Sequence, residues 1–111
     1  MTYLVVLVTA KDVREAKRIS RLIVGKKLAA CCNIVSGVRS IYRWEGKVCE
    51  GREALLVIKT RRELFRPLEK EIRRVHSYRV PEIIALPLEK GSPAYLDWLS
   101  SVTRPLKRRL G

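Results

Sequence analysis

The sequence predicts an α+β fold with the element order βαββαβ, followed by one further helix. Three observations predict this order: a β-branched apolar run from Tyr3 to Val8, apolar residues at helical spacing after Asp12, and two long strand-like runs that meet at the turn Glu45–Lys47. A chain of 111 residues has the usual size of one domain, so we expect residues 1–111 to form a single domain. The composition, 47% hydrophobic and 32% charged, excludes disorder of the whole chain.

The amino-terminal pattern predicts the first strand and the first helix. The run from Tyr3 to Val8 is typical of a strand that is buried on both faces. Asp12 and Glu15 have the spacing of a capping box, at the start of a helix that extends to about Lys26. The apolar residues of this helix share one face: Val13, Ala16, Ile19, Leu22 and Ile23. We therefore expect an amphipathic helix that packs on the sheet.

The next two runs predict one long β-hairpin. β-forming residues extend from Leu28 to Trp44 and again from Val48 to Thr60, and Glu45–Lys47 is the turn between them. Gly37 lies within the first run, where it suits a bend or a bulge.

The length of this hairpin predicts a partner subunit. The run from Ala30 to Trp44 would span about 50 Å at ~3.3 Å per residue, whereas a domain of this size has a radius of gyration of about 13 Å. The strand therefore bends, or it projects beyond its own core. Tyr42 and Trp44 lie beyond Gly37 in the sequence, and we expect another subunit to cover their rings.

A second helix follows the hairpin. Thr60 and Glu63 predict a second capping box, and Pro67 is expected to kink the helix because proline lacks a backbone N–H. The apolar face of this helix comprises Leu64, Phe65, Leu68, Ile72 and Val75.

The last strand and the terminal helix complete a ferredoxin-like order. The apolar run from Pro81 to Leu88 predicts another strand, and because Pro87 cannot donate to a ladder, we expect that end to lie at an edge or at a bulge. Ser92 and Pro93 begin a helix that Pro105 ends. The whole order is that of a ferredoxin-like sandwich, an antiparallel sheet that carries its helices on one face. The other face stays open, which again predicts a partner.

Positive charge is the main compositional signal. Lys and Arg number 24 against 11 Asp and Glu, which gives a formal net charge of +13. Such a field attracts polyanions, while thermophilic proteins also use many charged residues in surface ion pairs, and both interpretations stay open. Aromatic and basic residues mix at Tyr42–Trp44 alone, so specific nucleic-acid recognition is not expected. The basic tail Lys107–Arg109 is expected to fray.

Signals for secretion or membrane insertion are not evident in the sequence. The apolar run from Leu4 to Val8 is too short for a signal peptide, and no stretch approaches the ~20 apolar residues of a spanning helix. Cys31, Cys32 and Cys49 lack the spacing of zinc ribbons and redox motifs. We expect a cytoplasmic protein with buried thiols and no membrane insertion.

Few residues are suited to catalysis. His76 is the single histidine, and the aspartates are Asp12 and Asp97, so a catalytic constellation is not expected. A metal site in one chain would combine His76 with a cysteine thiolate or with Glu82, and a symmetric oligomer would multiply such ligands. The alternative is a histidine that is hydrogen-bonded at the end of the second helix.

Several motifs follow one another along nearly the whole chain. They are Leu7–Ala10, Lys27–Ile34, Ser40–Lys47, Glu53 with Ile58–Thr60, His76–Ile84 and Tyr95–Trp98. Together they resemble the CutA family of divalent-cation tolerance proteins. The resemblance implies a ferredoxin-like subunit in a homotrimer similar to the PII signalling proteins, with no established catalytic activity. It also implies a role in the tolerance of copper and other divalent metals.

The resemblance implies site residues as well. The motif residues that combine aromatic rings with charges are expected to line a cleft between subunits, and they are Tyr42, Trp44, Glu53, Lys59 and Tyr78. This cleft would hold an anion or a metal, or it would form an interface network that fixes the register of the trimer. His76 and Glu82 are the expected metal ligands, for weak binding of Cu²⁺ or Zn²⁺. The alternative function is a basic signalling or adaptor module that binds polyanions or small anions.

Overall fold

The observed elements confirm the predicted α+β order. The structure, a computed structural model, describes residues 2–105, so the predicted basic tail Lys107–Arg109 lies outside the described residues. In chain order the elements are β1 (Tyr3–Ala10), α1 (Val13–Gly25), β2 (Cys31–Trp44), β3 (Lys47–Arg61), α2 (Phe65–Val75), β4 (Ile83–Pro87) and α3 (Pro93–Ser101). A short 3₁₀ turn, Arg62–Leu64, precedes α2. None of the described helices is long and apolar enough to cross a membrane.

The strands form one antiparallel sheet in the order β2-β3-β1-β4. β3 lies between β1 and β2, the two strands that α1 connects, so the topology is ferredoxin-like. β4 is an edge strand, as Pro87 predicted. The core lies between the sheet and the helices α1 and α2, and its fully buried members include Val6, Ile19, Leu56, Ile58 and Ile72.

β1 is buried on one face, which corrects the prediction that both of its faces are covered. Leu4, Val6 and Val8 are buried against the helices. Val5 and Leu7, which point to the opposite face, are half-buried. The apolar run therefore does not show which of its residues face the core, because that depends on the elements that pack against each face of β1.

The sheet face opposite α1 and α2 is open over much of its area. α3 covers one end of it, where the Tyr95 hydroxyl lies 3.3 Å from the Sγ of Cys31. Away from that end, Ile84 and Leu86 of β4 are 51% and 55% exposed. Ile84 lies opposite Leu7 of the neighbouring strand. We call this region the open face of the sheet.

The predicted start of α1 is confirmed. Asp12 is the N-cap residue, and its carboxylate accepts a hydrogen bond from the Glu15 backbone N–H at 2.8 Å. The Glu15 carboxylate in turn accepts from the Lys11 backbone N–H at 3.1 Å. Two backbone donors near the helix start are therefore satisfied by side chains, as in a capping box.

Thr60 does not cap α2, and that prediction was wrong. Thr60 is buried in β3, where its hydroxyl donates to the carbonyl oxygen of Leu28 at 2.7 Å. α2 begins at Phe65 without a side-chain cap. Pro67 falls in the first turn of α2, where a missing N–H removes no α-helical hydrogen bond, so the cause of the predicted kink is absent.

The β2–β3 hairpin bends and projects, as its length predicted. Gly37 has a φ of +70° and lies at a register irregularity of β2, where glycine is favoured. Glu45 and Gly46, with φ of +48° and +77°, form a two-residue turn instead of the predicted three residues. The molecule measures 52 × 31 × 24 Å, and Tyr42 and Trp44 are about half exposed on the projecting part.

Candidate functional site

A cavity of about 630 Å³ lies between the projecting hairpin and the segment that follows α2. Tyr42, Trp44, Glu53 and Tyr78, all predicted for a cleft, contribute to its lining, and so does the predicted metal ligand Glu82. We call it the hairpin cavity. A single chain thus brings together most of the residues that the sequence singled out.

The register of the hairpin places these side chains on one face. Tyr42 and Trp44 are two residues apart in β2, so their side chains point to the same side. Glu53 pairs with Val38, which lies four residues before Tyr42, and therefore points to that side as well. The next residue, Ala54, is buried in the core. The hairpin cavity consequently lies on the side of the open face.

Tyr78 connects the segment after α2 to the hairpin. Its hydroxyl donates a hydrogen bond of 2.7 Å to Oε2 of Glu53. Burial raises the pKa of the Tyr78 hydroxyl far above its usual value of 10, and the hydrogen bond to the Glu53 carboxylate adds to this effect. The phenol therefore remains a donor at neutral pH, and the Glu53 carboxylate retains a fixed partner.

His76 lies beneath this pair and is fully engaged within the chain. Its buried ring lies 4.8 Å from the Tyr78 ring, centroid to centroid. Nε2 donates to the carbonyl oxygen of Thr9 at 2.8 Å, and Nδ1 accepts from the Tyr78 backbone N–H at 3.0 Å. The backbone partners fix these roles, because a carbonyl oxygen can only accept and an amide can only donate. His76 would have to give up one of these hydrogen bonds to bind a metal ion.

Glu15 of α1 holds the segment after α2 in place, a role that spacing along the sequence did not predict. Its side chain has no exposed surface, and Oε2 accepts from the Ser77 backbone N–H at 2.8 Å. Burial alone would raise the pKa of Glu15, but hydrogen bonds from the Lys11 and Ser77 amides and the nearby His76 outweigh it, so the pKa lies below its usual value of 4.5. Glu15 is thus an ionised, buried link between α1 and the lining segment.

Lys59 is separated from the other predicted cleft residues. Its ammonium group donates to Oδ1 of Asn33 and, at 3.2 Å, to the carbonyl oxygen of Val57. Lys59 points to the same face as Glu53 but lies six residues farther along β3, which corresponds to about 20 Å. Lys59 therefore does not line the hairpin cavity of its own chain, and the cleft between subunits that would include it stays a prediction.

The thiols are not part of the hairpin cavity lining, although Cys49 lies opposite Tyr42 in the hairpin. Cys31 and Cys32 are held by other side chains. The Ser20 hydroxyl donates to Sγ of Cys32 at 3.0 Å, and burial raises the pKa of this thiol. A protonated thiol is a poor metal ligand. Among residues 2–105 no group of three or more His, Cys, Asp or Glu side chains is placed to hold a metal ion.

Replacing Tyr78 with phenylalanine is expected to lower the free energy of unfolding by about 1 kcal/mol, because the hydrogen bond to the Glu53 carboxylate is lost while the ring contact with His76 remains. Urea denaturation at one fixed chain concentration measures the change. The same substitution in a Glu53→Gln background should cost less, because the charged acceptor is already gone. Equal costs in the two backgrounds would show that the bond does not contribute.

Comparison with known proteins gives a family match over most of the chain. The family model for the CutA1 divalent ion tolerance protein matches residues 4–102. The divalent-cation tolerance protein CutA of Thermus thermophilus is 46% identical over 99 residues, which cover 89% of this chain and 96% of that protein. The chloroplastic protein CutA of Arabidopsis thaliana is 50% identical over 101 residues, or 91% of this chain. The chain spans only 56% of the length of that plant relative.

Solved structures of similar proteins share the fold. The Thermus thermophilus divalent cation tolerance protein superposes with a TM-score of 0.90 at 45% identity, covering 92% of this chain and 99% of that one. CutA1 of Oryza sativa superposes with a TM-score of 0.91 at 46% identity, covering 94% and 95% of the two chains. The similarity therefore includes the projecting hairpin as well as the helical layer.

Proposed function

The chain belongs to the CutA1 family of divalent ion tolerance proteins, and from this membership we propose that it acts, without catalysis, in the response to divalent metal ions, copper among them. The continuous family match is the observation that carries the proposal. The hydrogen-bond partners of His76 also support a non-enzymatic role, because both ring nitrogens are bonded to backbone groups and not to a nucleophile.

The functional unit in this proposal is a homotrimer. Ile84 and Leu86 on the open face, and Tyr42 and Trp44 on the hairpin, are each about half exposed in a single chain. Exposed apolar surface of this kind is typical of an interface between subunits. The number of subunits rests on the family resemblance. A closed symmetric assembly would bring three copies of the hairpin cavity into one particle.

Glu53 and Glu82 are the ligands that we propose for a weakly bound divalent ion such as Cu²⁺ or Zn²⁺. Both carboxylates line the hairpin cavity, Glu82 is exposed, and Glu53 is oriented by the Tyr78 hydroxyl. His76 is a less suitable ligand than predicted, because its two nitrogens already have partners. With two carboxylates from one chain, water would complete the coordination shell and the affinity would be low.

Calorimetric titration of the assembled protein with Cu²⁺ and Zn²⁺ tests this site. Glu82→Gln is expected to weaken binding by about tenfold or more, since even a residue behind a metal ligand commonly contributes that much. Glu89→Gln, which removes an exposed carboxylate outside the cavity, is the matched control and should leave the affinity unchanged. Metal affinities that are unaltered in both Glu82→Gln and Glu53→Gln would rule out the hairpin cavity as the site.

We propose the cytoplasm as the compartment in which the protein acts. Cys31, Cys32 and Cys49 are free thiols, which suits a reducing compartment.

A further inference from the structure

Ion pairs neutralise a small part of the positive charge. Within the described residues the cations at salt-bridge distance from a carboxylate are Arg18, Lys26, Arg39, Arg61 and Arg74. The chain contains 24 Lys and Arg residues. Because the chain has only 11 Asp and Glu residues, its own carboxylates cannot neutralise the excess of +13, and part of this charge is available to an external anion.

Basic side chains line a groove along α2. The groove has a volume of about 650 Å³, within the usual range of small-molecule sites. Its basic residues are Arg66, Lys70, Arg73, Arg74 and Arg79, and among residues 2–105 Glu69 alone contributes a carboxylate to it. Arg74 is bonded to Glu71, whereas the other four cations have no carboxylate at salt-bridge distance within residues 2–105. We call this feature the α2 groove.

The spacing of three of these cations gives the α2 groove a direction. Arg66, Lys70 and Arg73 follow one another at intervals of four and three residues, so they lie on the same side of α2. At 1.5 Å per residue, the row extends for about 10 Å along the helix axis. This row is opposite to the buried residues Leu68 and Ile72, and it belongs to the helical side of the sheet, not to the open face.

Arg66 is placed where the helix itself disfavours a cation. It is the second residue of α2, near the positive end of the helix dipole, and the first turn contains no acidic residue. Arg73, in the last turn, is favoured by the same dipole. Helix stability therefore accounts for Arg73 but not for Arg66. An anion bound across both residues would offset the unfavourable position of Arg66.

We propose that the α2 groove binds a linear oligophosphate, either free or as the phosphate chain of a larger molecule. Guanidinium groups bind phosphate oxygens through paired, charge-assisted hydrogen bonds, and a row of about 10 Å is longer than one phosphate needs. Within the part of the chain that the structure describes, the lining contains no aromatic side chain on which a base could stack. Recognition is therefore by the phosphates alone, and it is independent of the proposed metal role.

Calorimetry with tripolyphosphate, ATP and orthophosphate tests the proposal, on the full chain, in metal-free buffer at about 150 mM salt. Tripolyphosphate and ATP are expected to bind with similar affinity. Orthophosphate is expected to bind at least about tenfold more weakly, because it engages fewer of the cations. ATP affinity tenfold above that of tripolyphosphate would contradict recognition by phosphate alone. Tighter binding of a 12-nucleotide DNA strand through the same residues would assign the groove to nucleic acid and overturn the proposal.

Matched variants separate the α2 groove from the general field of the protein. Arg66→Gln/Arg73→Gln is expected to weaken tripolyphosphate binding by about tenfold. Arg14→Gln/Arg21→Gln removes the same charge from exposed positions of α1 and should have less than a third of that effect. Glu69→Gln removes the carboxylate of the groove and should tighten binding by about threefold, which no loss of folding can imitate. Equal weakening by the two double variants would show that the anion is attracted by the general charge of the protein, and it would overturn the proposal.

Discussion

Replacing Glu15 with alanine is expected to lower the free energy of unfolding by about 3 kcal/mol. The Lys11 and Ser77 backbone amides both donate to this buried carboxylate. Without it they lose a charged acceptor in a site that water reaches poorly, and each unsatisfied donor costs about 1–3 kcal/mol. Urea denaturation at one chain concentration measures the loss, since the stability of an oligomer depends on concentration.

The dependence of this effect on pH provides a second check. The pKa of Glu15 is lower in the folded chain than its usual value of 4.5, so near that pH the unfolded state binds more protons. Stability from Glu15 is therefore present at neutral pH and is lost as the pH falls through the folded pKa. The difference between wild type and Glu15→Ala should shrink in acid. Glu89→Ala, at an exposed carboxylate, should change stability by less than about 0.5 kcal/mol at every pH.

The helix starts and the hairpin bend could be predicted from the sequence where a residue interacts with residues close to it in the chain. Asp12 caps α1 because its carboxylate reaches a backbone amide three residues away. Gly37 marks a bulge because few other residues adopt its backbone conformation. Thr60 misled the prediction, since its hydroxyl is committed to Leu28, 32 residues away. Spacing along the chain carries no information about such a distant acceptor.

The candidate site required the structure for a similar reason. Resemblance to a family predicted Glu53 and Tyr78, but their hydrogen bond spans 25 residues and depends on how the segment after α2 lies on the hairpin. The link from Glu15 to Ser77 spans 62 residues. Lys59 shares a face with Glu53, but their six-residue separation along β3 already corresponds to about 20 Å, a distance that the prediction of one shared cleft did not take into account. Rules based on short sequence separations therefore predict which face of a strand a residue occupies and which residue caps a helix. Which side chains come into contact depends on long-range hydrogen bonds that these rules do not predict.

Replacing Ile84 with glutamate is expected to convert the proposed trimer into monomers. Ile84 is 51% exposed in one chain, so a single folded chain should tolerate the charge. In an assembled particle the open face would be covered, and burying an unpaired carboxylate costs several kcal/mol for each subunit. Symmetry repeats this cost at every copy of the interface. The substitution therefore acts on assembly and leaves the fold of the chain intact.

Light scattering after size-exclusion chromatography at micromolar concentration measures the outcome. Wild type should have a mass of about 38 kDa, three times the 12.8 kDa of one chain, and Ile84→Glu should have 12.8 kDa with an unchanged circular dichroism spectrum. Val24→Glu places the same side chain on α1, at a residue that is 37% exposed, and should remain trimeric. A trimeric Ile84→Glu would show that the open face is not the interface. A monomeric wild type would instead refute the assembly itself, because a projecting hairpin would then be stable without any subunit to cover it.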